Sequence, residues 1–196
     1  GIVDRKGVDA MSVLVQKRLF TVDDYYRMAQ AGILREDDRV ELIEGEIVQM
    51  TPIGSRHASC VKRLNHLFIQ SLGCKIIVSV QDPIRIGKYT EPQPDVVLIR
   101  SRIDFYEENH PAAKDIYLII EVADSSQEYD RRQKIPLYGR NGIPETWLVD
   151  SANKRIEVYR DPSENGYRER IVLEPGQSVS PRAFPELLIP VSEILG

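Results

Sequence analysis

The chain has 196 residues, of which 42% are hydrophobic and 29% are charged, a composition typical of a soluble domain. This length supports one domain with a substantial core but not two of comfortable size. No apolar run is long enough to cross a membrane. The net charge of −4 argues against a protein held on DNA by bulk electrostatics, although an acidic site with a local basic rim is compatible with it.

The two ends of the chain differ in the information they carry. Residues 1–18 are predicted to be an N-terminal extension, with Gly1 as a cloning remnant, and residues 19–196 to be a single domain. No secretory signal pattern is present at the start. The two cysteines, Cys60 and Cys74, are too few for a disulfide framework in a chain of this size. We therefore expect a reducing, cytoplasmic location.

The N-terminal half predicts a helix, a β-hairpin, a second helix and two strands. Thr21 is an N-cap signal, and Glu44-Gly45 is a two-residue hairpin turn. Ser55 is predicted to cap the second helix, and Gly73 to stop it. The predicted bounds are a helix at 21–30, strands at 39–43 and 46–50, a helix at 55–72, and strands at 75–80 and 84–86.

The C-terminal half predicts the two most apolar strands, which should be central, and a helix that follows them. Ser125 and Glu128 form a capping-box pattern at the start of this helix, and Pro136 should kink or limit it. The predicted bounds are strands at 95–100 and 116–123, a helix ending at 141–142, strands at 145–150, 155–160 and 168–173, and a docked apolar tail at 185–195. The order predicts one α/β domain with a mixed central sheet and helices on its faces, including a right-handed parallel crossover over residues 116–150.

Two acidic residues lie at the ends of the central strands. Asp95 follows Pro94 at the start of an apolar run, and Glu121 closes another. Asp95 could be an ordinary turn aspartate bonded to nearby amides. Glu121 needs a partner because it lies in a buried strand, either in a salt bridge or at a cation. Together the two carboxylates could share one hard divalent cation.

The helix after the Glu121 strand carries Asp130 and Lys134, four residues apart. This spacing is compatible with a simple surface ion pair. However, the first turns of this helix should lie over the carboxyl end of the Glu121 strand, where open α/β sheets place their sites. Lys134 could there orient or help to deprotonate a metal-bound water.

Further candidates have weaker signals. His57 could be a surface or helix-terminus histidine, or could transfer protons or contact phosphate. Glu41 points away from its core-facing neighbours, toward solvent or the site. Cys60 is expected in the core, although a hydrolase using Cys60 with His57 stays open. Three basic patches could form a rim or be solvated helix faces: Lys62-Arg63, Arg131-Arg132 and Arg140.

Taken in order, these residues resemble the bacterial endonuclease family called domain of unknown function 820, in the PD-(D/E)XK, restriction-endonuclease-like superfamily. The resemblance covers about residues 20–195. The matching segments are 41–46, His57, 94–97, 121–125, Asp130, Lys134, Tyr138, 142–145 and 147–150.

The resemblance implies a restriction-endonuclease-like core and a Mg²⁺ or Mn²⁺ cofactor. Asp95, Glu121 and the Val122 carbonyl would be the metal ligands, and Glu41 and His57 would be further site residues. The usual lysine position is Ala123 in this chain, which implies that Lys134 takes over that role.

We therefore expect a metal-dependent nuclease, acting on DNA rather than RNA and having no membrane partner. A homodimer is a further expectation, because nuclease-fold domains often need two sites for two strands. The alternative is a catalytically inactive binding or scaffold protein with a nuclease fold, because Ala123 and the acidic charge depart from the expected pattern.

Overall fold

The structure, a computed structural model, describes residues 16–123 and 127–196. Most of the predicted N-terminal extension and the capping residue Ser125 lie outside these ranges. The helices and strands are α1 (Val22–Gln30), β1 (Val40–Ile43), β2 (Glu46–Gln49), α2 (Ser55–Leu72), β3 (Ile76–Val80), β4 (Val96–Arg100), β5 (Ile116–Ala123), α3 (Gln127–Tyr129), a π-helical segment (Asp130–Lys134), α4 (Ile135–Arg140), β6 (Glu145–Asp150), β7 (Arg155–Ser163), β8 (Gly166–Leu173), β9 (Ser178–Val179), β10 (Ile189–Pro190) and α5 (Val191–Leu195), with 3₁₀ turns at Gly73–Lys75 and Ala113–Asp115.

Six strands form the central sheet in the order β3-β4-β5-β6-β7-β8. Neighbouring strands are antiparallel except β5 and β6, which are parallel. This confirms the predicted mixed sheet and places β5 and β6 at its centre. The small β1–β2 sheet is a separate hairpin that is joined to the rest by a bridge between Leu42 and Glu91.

Alternation along the strands divides the core between the two faces of the sheet. On β5, Leu118, Ile120 and Val122 belong to the cluster that includes the apolar stripe of α2. Ile119 lies in the cluster with Tyr138 of α4, on the other face. Glu121 lies two residues after Ile119 on the same strand, so its side chain points to the same face of the sheet, toward α4.

Most predicted elements are confirmed within a residue or two, including the N-cap at Thr21 and the left-handed turn at Glu44 and Gly45. The predicted strand at 84–86 was wrong, because this segment forms only an isolated bridge at Arg85. Pro83 has no N–H for a ladder, and Gln81 has a left-handed φ of 56°, so the chain turns away from the sheet.

Two helix predictions also need correction. Gly54, in extended conformation, is the N-cap of α2, and Ser55 is its first helical residue with no side-chain cap. Pro136 does not limit the helix that follows β5, because this helix continues to Arg140. It lies in the first turn of α4, directly after the π-helical segment. Among the described residues, no helix is both long and apolar enough to span a bilayer.

Candidate functional site

Asp95 and Glu121 come together at one end of two adjacent strands. Asp95 directly precedes β4, whose first residue Val96 pairs with Ile120 of β5, and Glu121 directly follows Ile120. Both carboxyl groups line the same cavity, and the Asp95 charge contributes to the raised pKa of Glu121. Two buried carboxyl groups this close to each other are unfavourable unless a cation or donors compensate them, which indicates a site rather than a structural contact.

The Asp95 carboxylate is held by three donors. His57 Nε2 lies 2.7 Å from Oδ1, and Gln81 Nε2 donates to the same oxygen over 3.2 Å. The Val122 N–H donates to Oδ2 over 2.8 Å. Because an ionised carboxylate only accepts hydrogen bonds, such a carboxylate at Asp95 would require the His57 proton on Nε2. Asp95 is thus fixed in orientation and is not a turn aspartate bonded only to local amides.

Glu121 is buried, with 3% of its surface exposed. Its Oε1 atom accepts a 2.6 Å hydrogen bond from Tyr138 and lies 3.3 Å from Lys134 Nζ. Burial raises the pKa of Glu121 to about 8, although Lys134 and the Tyr138 hydrogen bond act in the opposite direction. Among the described residues, no hydrogen bond reaches its Oε2 atom, which leaves this oxygen for a ligand.

Lys134 joins Glu121 to the hairpin sheet. Its Nζ also lies 3.1 Å from Glu41 Oε2, and this carboxylate accepts a hydrogen bond from the Gln93 N–H. Burial lowers the pKa of Lys134, but Glu121 and Glu41 outweigh it and hold the pKa well above its ordinary value. Lys134 therefore stays protonated, and Glu41 points into the site rather than to solvent.

The π-helical segment explains how Asp130 and Lys134 both become buried. The Ile135 N–H bonds back to the Asp130 carbonyl, five residues earlier. On the sheet side of this turn, Arg131 lies 3.2 Å from Asp150 and 2.8 Å from Glu157, two buried carboxylates of β6 and β7. These contacts fix the rotation of the segment. Asp130 and Lys134 are therefore not the exposed ion pair that their spacing alone would allow.

One cavity of about 470 Å³ brings all the predicted residues together. It is lined by Glu41, His57, Asp95, Glu121, Val122 and Lys134, and also by Asp130, Tyr129 and Arg39. Its other side is formed by residues 48–54, which are the end of β2 and the connection to α2. A second cavity of about 550 Å³, next to Tyr26 and Arg85, contains none of the predicted residues.

The donors in the site fit Mg²⁺ or Mn²⁺. The described residues contain no group of three or more histidine, cysteine or acidic side chains that could hold a metal. Mg²⁺, however, needs only one or two carboxylates, with water and phosphate oxygens completing its shell. Val122 also lines the cavity and donates its N–H to Asp95, so its carbonyl is a further candidate ligand.

Other candidates have structural roles. Cys60 is in the core as predicted, and its thiol donates to the Ile194 carbonyl over 3.5 Å. Burial raises the pKa of this thiol to about 12, which does not suit a nucleophile. Of the basic rim candidates, Arg63 bonds the carbonyls of α5, and Arg140 pairs with Glu44. Ala123 is buried against Leu148, so the usual lysine position is part of the core.

Sequence reasoning missed several residues of the site. Gln81 holds Asp95, Gln93 donates to Glu41, and Arg39 and Tyr129 line the cavity. Tyr129 had a weak signal, since it directly precedes Asp130 on the same helix. Gln81 and Arg39 had none, because they reach the site through loop and hairpin packing.

Comparison with known proteins identifies the fold and the family of this chain. A crystal structure of "a putative nuclease belonging to DUF820" from Anabaena variabilis ATCC 29413 has the same fold, with a TM-score of 0.69 and 20% identity over 90% of this chain and 97% of the other. No curated protein matches the sequence. The model of the Uma2 family, described as "Putative restriction endonuclease", matches residues 22–192. The chain therefore belongs to the Uma2 family of restriction-endonuclease-like proteins.

Proposed function

We propose that this protein is a divalent-metal-dependent nuclease that hydrolyses phosphodiester bonds, with DNA as its substrate. The observation that supports this proposal is that the buried carboxyl groups of Asp95 and Glu121 line one cavity, with Lys134 close to one oxygen of Glu121. Such a combination of two carboxylates and one fixed ammonium suits phosphoryl chemistry, where charge must be neutralised as it develops.

Asp95, Glu121 through Oε2, and the Val122 carbonyl would hold the cation. When bound, Mg²⁺ or Mn²⁺ polarises a phosphate oxygen and lowers the pKa of a coordinated water. His57 and Gln81 keep the Asp95 carboxylate in place, as partners of metal ligands commonly do.

Lys134 would position the attacking water and the phosphate. Its raised pKa keeps the ammonium protonated, so it donates hydrogen bonds and does not take up the proton of the water. Glu41 also pairs with Lys134 and helps to hold it beside Glu121. His57, which is directed at Asp95, and Glu41 are therefore positioning residues in this proposal.

The test is nicking of supercoiled plasmid with and without Mg²⁺ or Mn²⁺. The parent should nick only with metal, Glu121→Gln should be inactive, and the control Glu46→Gln, at an exposed glutamate paired with Lys17, should match the parent. A Mn²⁺-dependent rise in melting temperature should be present in the parent and lost in Glu121→Gln. No nicking and no Mn²⁺ shift in the parent would contradict the proposal and favour an inactive nucleic-acid-binding or scaffold protein.

A further inference from the structure

The cavity of the site has two chemically different sides. Its floor is formed by Asp95, Glu121 and Lys134, which are all nearly buried. Its apolar wall comprises Met50, Pro52 and Ile53 from the β2–α2 connection, and the Tyr129 ring also lines the cavity. A phosphate group can bind at the floor once a cation is present. Phosphate binding alone does not explain why the opposite wall is apolar and why an aromatic residue lines the cavity.

We propose that this cavity accepts one unpaired nucleotide, so that the substrate is single-stranded or locally unpaired nucleic acid. The inference deepens the proposed nuclease function and rests on it for the role of the floor. The phosphate would lie on the floor, and the base would stack on Tyr129 and pack against the apolar wall. Base–aromatic stacking is tolerant of sequence and is widely used to hold single strands.

The apolar wall favours an unpaired strand over a duplex. A cavity of about 470 Å³ is of the size that encloses one small molecule. In a duplex the bases are stacked and paired inside the helix, so a base must leave the helix before it can reach Tyr129 and the apolar wall. That extrusion costs least where the nucleotide is already unpaired.

The net charge of the protein also favours an unpaired nucleotide as the ligand of this cavity. The net charge of −4 gives little general attraction for a polyanion, so contacts to the base must contribute to affinity. Arg39, which is exposed and lines the cavity, can pair with a neighbouring phosphate. The site therefore combines local phosphate contacts with a stacking surface.

The experiment measures binding by fluorescence anisotropy, with Ca²⁺ in place of Mg²⁺ so that cleavage does not interfere. The probes are a fluorescein-labelled oligodeoxythymidine and a labelled blunt duplex of equal length. The single strand should bind about tenfold tighter or more. Tyr129→Ala should weaken strand binding by about 5- to 150-fold, whereas Tyr129→Phe and the control Tyr89→Ala, at an exposed tyrosine outside the cavity, should bind as the parent does.

Ile53→Ser provides a second variant, because Ile53 is 37% exposed and its replacement does not threaten folding. It should also weaken strand binding. Equal affinity for strand and duplex, no strand binding by the parent, or unchanged binding in both Tyr129→Ala and Ile53→Ser would overturn the inference. A preference for the single strand without metal-dependent nicking would support this inference and contradict the nuclease proposal. Metal-dependent nicking without a preference for the single strand would support the nuclease proposal and contradict this inference.

Discussion

Replacement of Lys134 by methionine tests the buried ion pairs most directly. Methionine preserves much of the apolar length but removes the ammonium that lies 3.1 Å from Glu41 and 3.3 Å from Glu121. Lys134 is only 5% exposed, so water cannot compensate for its loss. Removing one partner of a buried ion pair typically costs about 3–5 kcal/mol, since the other charge is left buried.

The cost should depend on pH. Below pH 8 most of the Glu121 carboxyl is protonated, because its pKa is raised to about 8, so removal of Lys134 then breaks mainly the pair with Glu41. Above pH 8 Glu121 is ionised in the parent and also pairs with Lys134, whereas the variant must bind a proton at Glu121. Because one pH unit above the pKa corresponds to about 1.4 kcal/mol, the deficit in the free energy of unfolding should be larger at pH 9 than at pH 6 by up to about 1.4 kcal/mol.

Urea unfolding without divalent metal, followed by the fluorescence of the single, buried Trp147, measures this deficit. The matched control is Lys62→Met, which removes the same charge from an exposed position of α2 and should change stability by less than about 0.5 kcal/mol. A Lys134→Met deficit below about 1 kcal/mol at both pH values, or a deficit that does not change with pH, would refute the reasoning.

Three further changes test other parts of the structure. The folded-state pKa of Glu121 exceeds its ordinary value of 4.5, so the metal-free parent loses stability as pH rises toward 8. Glu121→Gln should therefore be more stable than the parent at pH 8 by on the order of 2 kcal/mol. Thermal melts at pH 6 and 8 measure this difference, and a less stable variant at pH 8 would contradict it. Gly139→Ala should lose about 1–3 kcal/mol in urea unfolding, because the new Cβ would lie 2.4 Å from the Gly166 carbonyl carbon. Ala123→Lys in the Lys134→Met background should not restore nicking of plasmid, since position 123 is fully buried, and restored nicking would show that the strand position still serves the site.

Local signals predicted much of the fold from the sequence. The Glu44-Gly45 turn, the cap at Thr21 and the apolar run of β5 each depend on neighbours in sequence, and each is present as expected. The segment at 84–86 has the composition of a strand, but its hydrogen-bonding partners are determined by Pro92 and Pro111 in distant loops. Such partners cannot be read from the segment itself.

The residues of the candidate site likewise comprise some that local sequence identifies and others that only the folded structure brings together. Asp95 and Glu121 could be found because a carboxylate in an apolar strand conflicts with its surroundings. The contribution of Gln81 depends on a left-handed backbone at a strand end, and that of Tyr129 on how the helix after β5 lies over the sheet. Both are properties of the assembled fold rather than of any short stretch of sequence.

The π-helical segment makes the site sensitive to chain length. A turn closed by a bond over five residues contains one residue more than an α-helical turn, and the ammonium of Lys134 reaches Glu121 from this widened turn. Removal of one residue from 130–134 would close this turn to the α-helical form and change which side chains of the segment face Glu121. Within this family fold, the segment should therefore accept many substitutions on its outer side but no insertion or deletion, because residue count here determines which side chains meet the carboxylate.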